Sequence, residues 1–176
     1  MISGGQTGVD RGALDAALDL GFPCGGWCPA GRLAEDGKIP DRYPVIELAD
    51  GGYAERTAQN VADSDGTLII AHGPLIGGTR ETVQFCIEQR KPHFVIDLQA
   101  TSVDEAITHA VEFICSLSSR ANARDLPFLR PGMTIVLNIA GPRASQWPQA
   151  RDVAHELVSA IFRRLSGHTR PGEYSA

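Results

Sequence analysis

The sequence predicts an α/β domain, a doubly wound, mostly parallel sheet with helices on both faces in a Rossmann-like arrangement. Three observations carry this expectation. Short continuous apolar runs such as "GTLIIA" (66–71) and "TIVLNIAG" (134–141), bounded by turn residues, read as strands buried on both faces. Segments with apolar residues at helical spacing alternate with these runs. Glycine-bearing loops stand at the strand-to-helix junctions. At 176 residues the chain has the length of one domain with a substantial core.

The elements follow in order. "MIS" reads as the end of a first strand, short enough to leave open a start upstream of Met1. Val9, Ala13, Ala16, Ala17 and Leu20 fall on one helical face, and Gly21 stands where a C-terminal cap belongs. "FPCGGW" (22–27) and "YPVIELA" (43–49) read as strands joined by the polar loop "CPAGRLAEDGKIPDR" (28–42). Ala54, Ala58, Val61 and Ala62 mark a second helix that ends at "DSDG". After "GTLIIA", a helix from about Thr79 to Gln89 leads to the strand "HFVID" (93–97). Ser102 and Glu105 form a capping-box pattern ahead of a helix with apolar positions Val103, Ala106, Ile107, Ala110, Val111, Ile114 and Leu117. The strand "TIVLNIAG" precedes a last helix carrying Val153, Ala154, Leu157, Val158, Ile161 and Leu165. One ligand-binding domain over residues 1–166 is expected, with a flexible tail at 167–176.

Composition narrows the function classes. A net charge of −5 argues against broad nucleic-acid binding, which needs a basic face to replace phosphate counterions. Of 16 basic residues only Lys38 and Lys91 are lysine, a bias that suits oxyanion recognition and equally a GC-rich genome. No apolar run approaches the roughly 20 residues that cross a bilayer, and no signal-peptide pattern precedes the first glycine loop. The expected location is therefore the cytoplasm, without membrane partners. Cys24, Cys28, Cys86 and Cys115 read as reduced thiols. "CGGWC" leaves a redox or metal role open for Cys24 and Cys28, but no second pair completes a zinc set and no metal site is assigned.

Three junctions carry the candidate site, and in a parallel sheet they emerge on one edge. Each offers backbone N–H groups at a helix N-terminus, where the helix dipole favours an anion. The first is Gly4, Gly5, Gln6, Thr7 and Gly8, followed by Asp10 and Arg11; it matches neither a dinucleotide fingerprint nor a P-loop. The second is Gly77, Gly78 and Thr79, with Thr79 a candidate N-cap and Thr82 one turn further on. The third offers Asn138, Gly141, Arg143 and Ser145, with Ser145 as cap of the last helix and Pro148 in its first turn. Arg32, Glu35 and Asp36 lie in a polar connection that either folds over the site or is solvated. Arg56 and Asn60 share a helical face opposite the alanines. Asp63 and Asp65 read as a solvated turn or a cation site.

Taken together, "ISGGQTGVDRGALDAAL", "GGWCPAGRLAEDGKIPDRYPVIE", "DSDGTLII", "GGTRET" and "NIAGPRAS" resemble the putative molybdenum carrier family, in order from Ile2 to Leu165. The resemblance implies a Rossmann-like domain, related to lysine-decarboxylase-like proteins, that binds a phosphorylated, nucleotide-like ligand. It also implies a homo-oligomer, dimer or tetramer, and a ligand that is the molybdenum cofactor (molybdopterin) or a nucleotide. The same superfamily holds phosphoribohydrolases with the signature P-G-G-x-G-T-x-x-E, whose glutamate cleaves an N-glycosidic bond. Here Gly78 and Thr79 match the Gly-Thr pair, and Thr82 stands where that glutamate belongs. Glu81 is one residue early, a rotation of about 100° that turns its carboxylate away from the site. A threonine hydroxyl cannot act as a general base near neutral pH. The expectation is thus a carrier or sensor with no catalytic residue. The rival is a hydrolase of nucleoside monophosphates or related N-glycosides that uses Asp10, Glu35, Asp36 or Glu81.

Overall fold

The computed structural model describes residues 1–123 and 135–168, so Thr134 and the tail beyond His168 lie outside the described residues. The chain runs through helix α1 (Val9–Asp19), strand β1 (Trp27–Cys28), a 3-10 turn (Ala30–Arg32), β2 (Leu33–Ala34), β3 (Gly37–Lys38) and β4 (Ile46–Glu47). It continues through α2 (Tyr53–Ala62), β5 (Gly66–Ala71), α3 (Gly77–Glu88), β6 (His93–Asp97), α4 (Val103–Ala123), β7 (Leu137–Ala140) and α5 (Ala150–His168).

β5 lies between β6 and β7 and pairs with both in parallel, with Thr67 opposite His93 on one side and Asn138 on the other. Ile2 extends this sheet: it bridges Asn138 and Gly25 in parallel, and its N–H donates to the Leu137 carbonyl at 2.8 Å. The segment from Gly25 runs into β1, which pairs in parallel with β4. The sheet order is therefore β6, β5, β7, Ile2, β1, β4, with the last strand of the sequence in the middle. β2 and β3 form a small antiparallel hairpin inside the polar connection.

Alternation along the strands separates two layers. Leu68, Ile70, Ile96, Leu137 and Ile139 pack into one cluster with apolar residues of α1, α4 and α5. The other face meets α2 and α3, where Val61 and Cys86 are buried. α1 and α5 approach closely at Gly12, where a Cβ would overlap the Arg151 carbonyl. A smaller cluster, Leu14, Cys28, Ala34, Ile39, Tyr43 and Val45, sits beneath the hairpin.

Local signals set the element ends. Gly21 has φ 68°; the Phe22 N–H bonds to Ala17 O and the Gly21 N–H to Leu18 O, closing α1 with a Schellman cap. The Ser102 N–H donates to Glu105 Oε2 at 3.1 Å and the Glu105 N–H to Ser102 Oγ at 3.4 Å, the reciprocal bonds of a capping box. No helix among the described residues is long and apolar enough to cross a membrane.

Candidate functional site

A cleft of about 320 Å³ opens at the carboxyl edge of the sheet, walled by all three glycine-bearing loops and by α2. Gly4 and Gln6 come from the first loop, Gly77, Gly78, Thr79, Glu81 and Thr82 from the second, and Asn138, Gly141, Arg143 and Gln146 from β7 and the third.

The first loop is built around Asp10, which is only 4% exposed. Its Oδ2 accepts the Gln6 N–H at 3.3 Å and Arg56 Nη1 at 3.2 Å. Burial pushes the Asp10 carboxyl above its ordinary pKa, against the pull of the Arg56 charge. Arg56 reaches this position because Gly4 has no side chain; a Cβ there would occupy the place of the guanidinium. The Gln6 carboxamide oxygen accepts the N–H groups of Thr7 and Glu35 at 3.0 and 2.9 Å. Its Nε2, and Arg56 Nε, are buried with no hydrogen-bond partner. Buried donors are almost always paired, so the fold leaves two donors unspent on residues that line one cleft.

The second loop delivers a helix end. α3 begins at Gly77, with Ile76 as an extended N-cap that supplies no side-chain bond. The Arg80 N–H is the first to reach back, to Ile76 O at 3.4 Å. The N–H groups of Gly77, Gly78 and Thr79 therefore have no intrahelical acceptor. No Cβ shields the first two, and open space surrounds Gly78. The structure thus corrects the expectation that Thr79 caps this helix: α3 begins two residues earlier, at Gly77, whose positive φ of 48° turns the chain into the helix, so Thr79 is its third residue. Thr82 is buried and donates its hydroxyl to Gly78 O at 2.9 Å, satisfying it within its own helix. Glu81 lines the cleft at its exposed rim. Glu81 thus borders the cleft together with Gly77, Gly78, Thr79 and Thr82, one residue out of register with the glutamate of the hydrolase signature, while Arg80 does not line it.

The third loop brings Arg143 over the Tyr53 ring, 5.8 Å from its centroid. Asn138 is held by donating to Thr67 Oγ1 at 3.2 Å. α2 contributes a polar stripe, Tyr53, Arg56, Thr57 and Asn60, at the three-to-four spacing that places residues on one face. Of these, Arg56 and Asn60 are evident from the sequence; extending the same periodicity one turn back reaches Tyr53. Asn60 also pins β1 to α2 through both its amide atoms, with Trp27 N and O each at 2.9 Å.

Five expected residues stand behind the cleft rather than in it. Gly5 has φ 74° and packs on Ile39. Gly8 has φ 77°, and a Cβ there would strike the backbone from Pro142 to Ala144, so it lets the first and third loops touch. Thr7 donates to Glu35 and accepts the Ala144 N–H. Ser145 does not cap α5, which starts at Ala150 after Pro148; its hydroxyl donates to Glu35 Oε2 at 2.5 Å. Arg11 does not reach the cleft: its guanidinium grips Asp36 through two bonds, of 2.6 and 2.8 Å, and Nε donates to Gly5 O. A bidentate partner beside the glycine loop outcompetes solvent for a guanidinium.

Glu35 and Asp36 thereby fasten the polar connection to the loops. Burial pushes Glu35 up, but hydrogen bonds from Ser145 and Thr7 and the charge of Arg143 outweigh it and hold the carboxyl below its ordinary range. The hydrogen bonds from Arg11 hold Asp36 low as well. Arg32 donates to four backbone carbonyls of the same connection, those of Ile39, Pro40, Tyr43 and Val45. Asp63 accepts the Trp27 indole N–H and the Gln59 amide, and Asp65 accepts the Val136 N–H, so both serve structure. Cys28 lies in the smaller core cluster, and Cys24 packs against it.

A parallel sheet flanked by helices, with a glycine-walled cleft at the carboxyl edge, defines a Rossmann-like α/β domain. The central place of the last strand distinguishes it from a simple doubly wound order. The chain belongs to the circularly permutated YpsA SLOG family, whose sequence profile matches residues 1–162. It is also similar to a crystal structure described as a putative molybdenum carrier protein from Syntrophus aciditrophicus SB. That match has 42% identity and a TM-score of 0.80, and covers 91% of this chain and 92% of the other. No curated protein matches the chain.

Proposed function

We propose that this protein is a cytoplasmic, oligomeric carrier or sensor that holds a phosphorylated, nucleotide-like ligand in the cleft between its three glycine-bearing loops. The observation that carries the reading is the convergence of uncapped amides at Gly77, Gly78 and Thr79 with unspent donors on Gln6 and Arg56. A phosphate has the charge for the helix end and the oxygens for the remaining donors. Arg143, partly exposed at the rim between Glu35 and the Tyr53 ring, supplies a countercharge.

The molybdenum cofactor is one ligand of this class, and the name of the similar structure supports it. Its phosphate fits the amides of α3 together with Arg56 and Arg143. When bound, the cofactor supplies its own sulfur ligation of the metal; among the described residues no three His, Cys, Asp or Glu side chains converge as a metal site.

The test is thermal melting with inorganic phosphate, ribose 5-phosphate, AMP and adenosine, alongside mass spectrometry of ligand released from unheated protein. Phosphorylated compounds are expected to raise the melting temperature and adenosine to leave it unchanged. Equal shifts with adenosine, or none with any phosphate, overturn the reading.

A second reading rests on the two carboxylates in the cleft, Asp10 and Glu81. It makes the protein a hydrolase of nucleoside monophosphates or related N-glycosides. Glu35 and Asp36 drop out of that reading because their hydrogen bonds hold the loops. Sustained release of free base from AMP, lost in both Asp10→Asn and Glu81→Gln, would establish it in place of the carrier.

A further inference from the structure

A second cavity of about 280 Å³ lies beside the polar cleft, at the carboxyl ends of β5 and β7. This is where the sheet order reverses, the place where open α/β sheets receive ligands. Its walls differ from those of the cleft. Ala71, Pro74, Leu75 and Ile76 come from the end of β5 and the loop that follows, and Pro142 and Trp147 from the loop after β7. His72 lies against Trp147, with ring centroids 5.1 Å apart and planes 25° from parallel.

Two residues border both spaces, Thr79 and Gln146. Thr79 is only 4% exposed, yet among the described residues no hydrogen bond is made by its hydroxyl. Gln146 is exposed, and its Nε2 lies beside Gly77. A largely buried hydroxyl and a solvent-facing amide thus stand at the junction, next to the uncapped amides of α3. Each cavity alone is at or below the lower end of the usual range for small-molecule sites, about 300–1,000 Å³; joined, they fall within it.

We infer that the apolar cavity is the ring subsite of the same ligand: a planar heteroaromatic ring sits against the His72–Trp147 pair while its phosphate rests on the amides of α3. This rests on the phosphate reading above and adds the place where the ring of that nucleotide-like ligand sits. The division follows from the walls. The polar cleft presents amides, carboxylates and guanidinium groups, which suit phosphate and sugar. The second cavity presents aliphatic and aromatic surface with few polar atoms, which suits a ring with polar edges. Thr79 and Gln146 provide a donor and an acceptor for those edges. A purine nucleotide and a pterin phosphate share this chemistry, and both enter the test.

Trp147 makes the inference measurable. The chain has two tryptophans, and the Trp27 indole bonds Asp63 away from this cavity, so Trp27→Phe leaves Trp147 as sole reporter. This protein is titrated with inorganic phosphate, ribose 5-phosphate, AMP, GMP and 6-hydroxymethylpterin monophosphate. At least one ring-bearing phosphate is expected to bind about tenfold more tightly than ribose 5-phosphate, the scale of one well-stacked ring. It should also change Trp147 emission saturably, whereas ribose 5-phosphate should bind without that change. Leu75→Glu in the same background should remove the advantage of the ring and keep binding of ribose 5-phosphate. If that variant loses ribose 5-phosphate too, the emission of the Trp27→Phe parent decides. Ribose 5-phosphate binding with no tighter ring compound and no change at Trp147 overturns the ring subsite alone. Failure of every phosphate, inorganic phosphate included, removes the phosphate reading and this inference with it.

Discussion

Substituting Gly78 separates folding from binding, because the structure assigns the two effects opposite signs. Gly78 is the second residue of α3, its φ is not in the left-handed region, and a Cβ there meets nothing within 4 Å. Aspartate can therefore enter without strain. It replaces a glycine in a helix, worth a few tenths of a kcal/mol to about 0.5 kcal/mol, and places a carboxylate in the first turn, worth about 0.3–1 kcal/mol. The ligand-free protein should gain about 0.5–1.5 kcal/mol, and at about 2–4 °C per kcal/mol for a chain of this size it melts a few degrees higher. The same carboxylate stands where the ligand phosphate belongs. Two unit charges about 4 Å apart repel by about 1 kcal/mol in water and about 4 kcal/mol at the effective dielectric of a protein surface. Affinity should fall between about fivefold and a thousandfold. Urea denaturation gives the first quantity, and melting with AMP or ribose 5-phosphate gives the second. A Gly78→Asp protein that is less stable refutes the helix-end account of Gly78, and one that keeps the ligand-induced shift refutes the placement of the phosphate on this helix. Gly4 offers no such test, since any Cβ there displaces Arg56 and disturbs the fold itself.

Gln6→Glu preserves shape and the acceptor for the Thr7 and Glu35 amides but turns the unspent donor Nε2 into an acceptor. AMP affinity, read by calorimetry, should fall about tenfold or more; unchanged or tighter binding counts against Gln6 as a ligand donor. Glu35→Gln tests the latch between the loops. The folded-state pKa of Glu35 is depressed, so its contribution is fully present above the unfolded value of about 4.3 and is lost as pH falls through the folded value. Urea midpoints of wild type and variant should therefore differ by a constant amount from neutral pH to about 4.3 and converge in more acid solution. A gap that ignores pH would show that the Glu35 charge adds nothing.

Much of this architecture is legible in the sequence because its signals are local. Gly21 and the Ser102–Glu105 pair announce helix ends through bonds to their own neighbours, and "GTLIIA" announces a buried strand by composition. The β2–β3 hairpin escapes because each strand pairs only two residues, too few for any periodicity. The site was half legible for the same reason. Glycines at strand ends mark the cleft edge, but whether Gly4 or Gly5 faces it depends on which neighbour approaches: Arg56 in one case, Ile39 in the other. Arg11 looks like a phosphate ligand until Asp36, distant in sequence, is folded against it. Ser145 carries the right residue type for a cap, but Glu35 claims its hydroxyl and α5 waits for Ala150. Each miss is a long-range pairing that overrides a local preference.

Whether such a cleft holds or cuts its ligand turns on its carboxylates. Thr82 has spent its hydroxyl on Gly78 O. Glu81 stands at the exposed rim, where water competes for it. Asp10 is deep enough, and burial already biases it toward its neutral form, but its Oδ2 is engaged by Arg56 and the Gln6 amide. A phosphate drawn to Arg56 competes with Asp10 for the same cation, and its own negative charge raises the Asp10 pKa further. Binding then favours the protonated carboxyl, which donates a hydrogen bond to the ligand instead of removing a proton from water. A carboxyl that stays protonated while substrate is bound takes no proton from water; one raised only to near neutral pH would serve as a base or a general acid. On the carrier reading proposed above, Asp10, Arg56 and the amides of α3 hold the phosphate, and release of free base from AMP is the result that would overturn it.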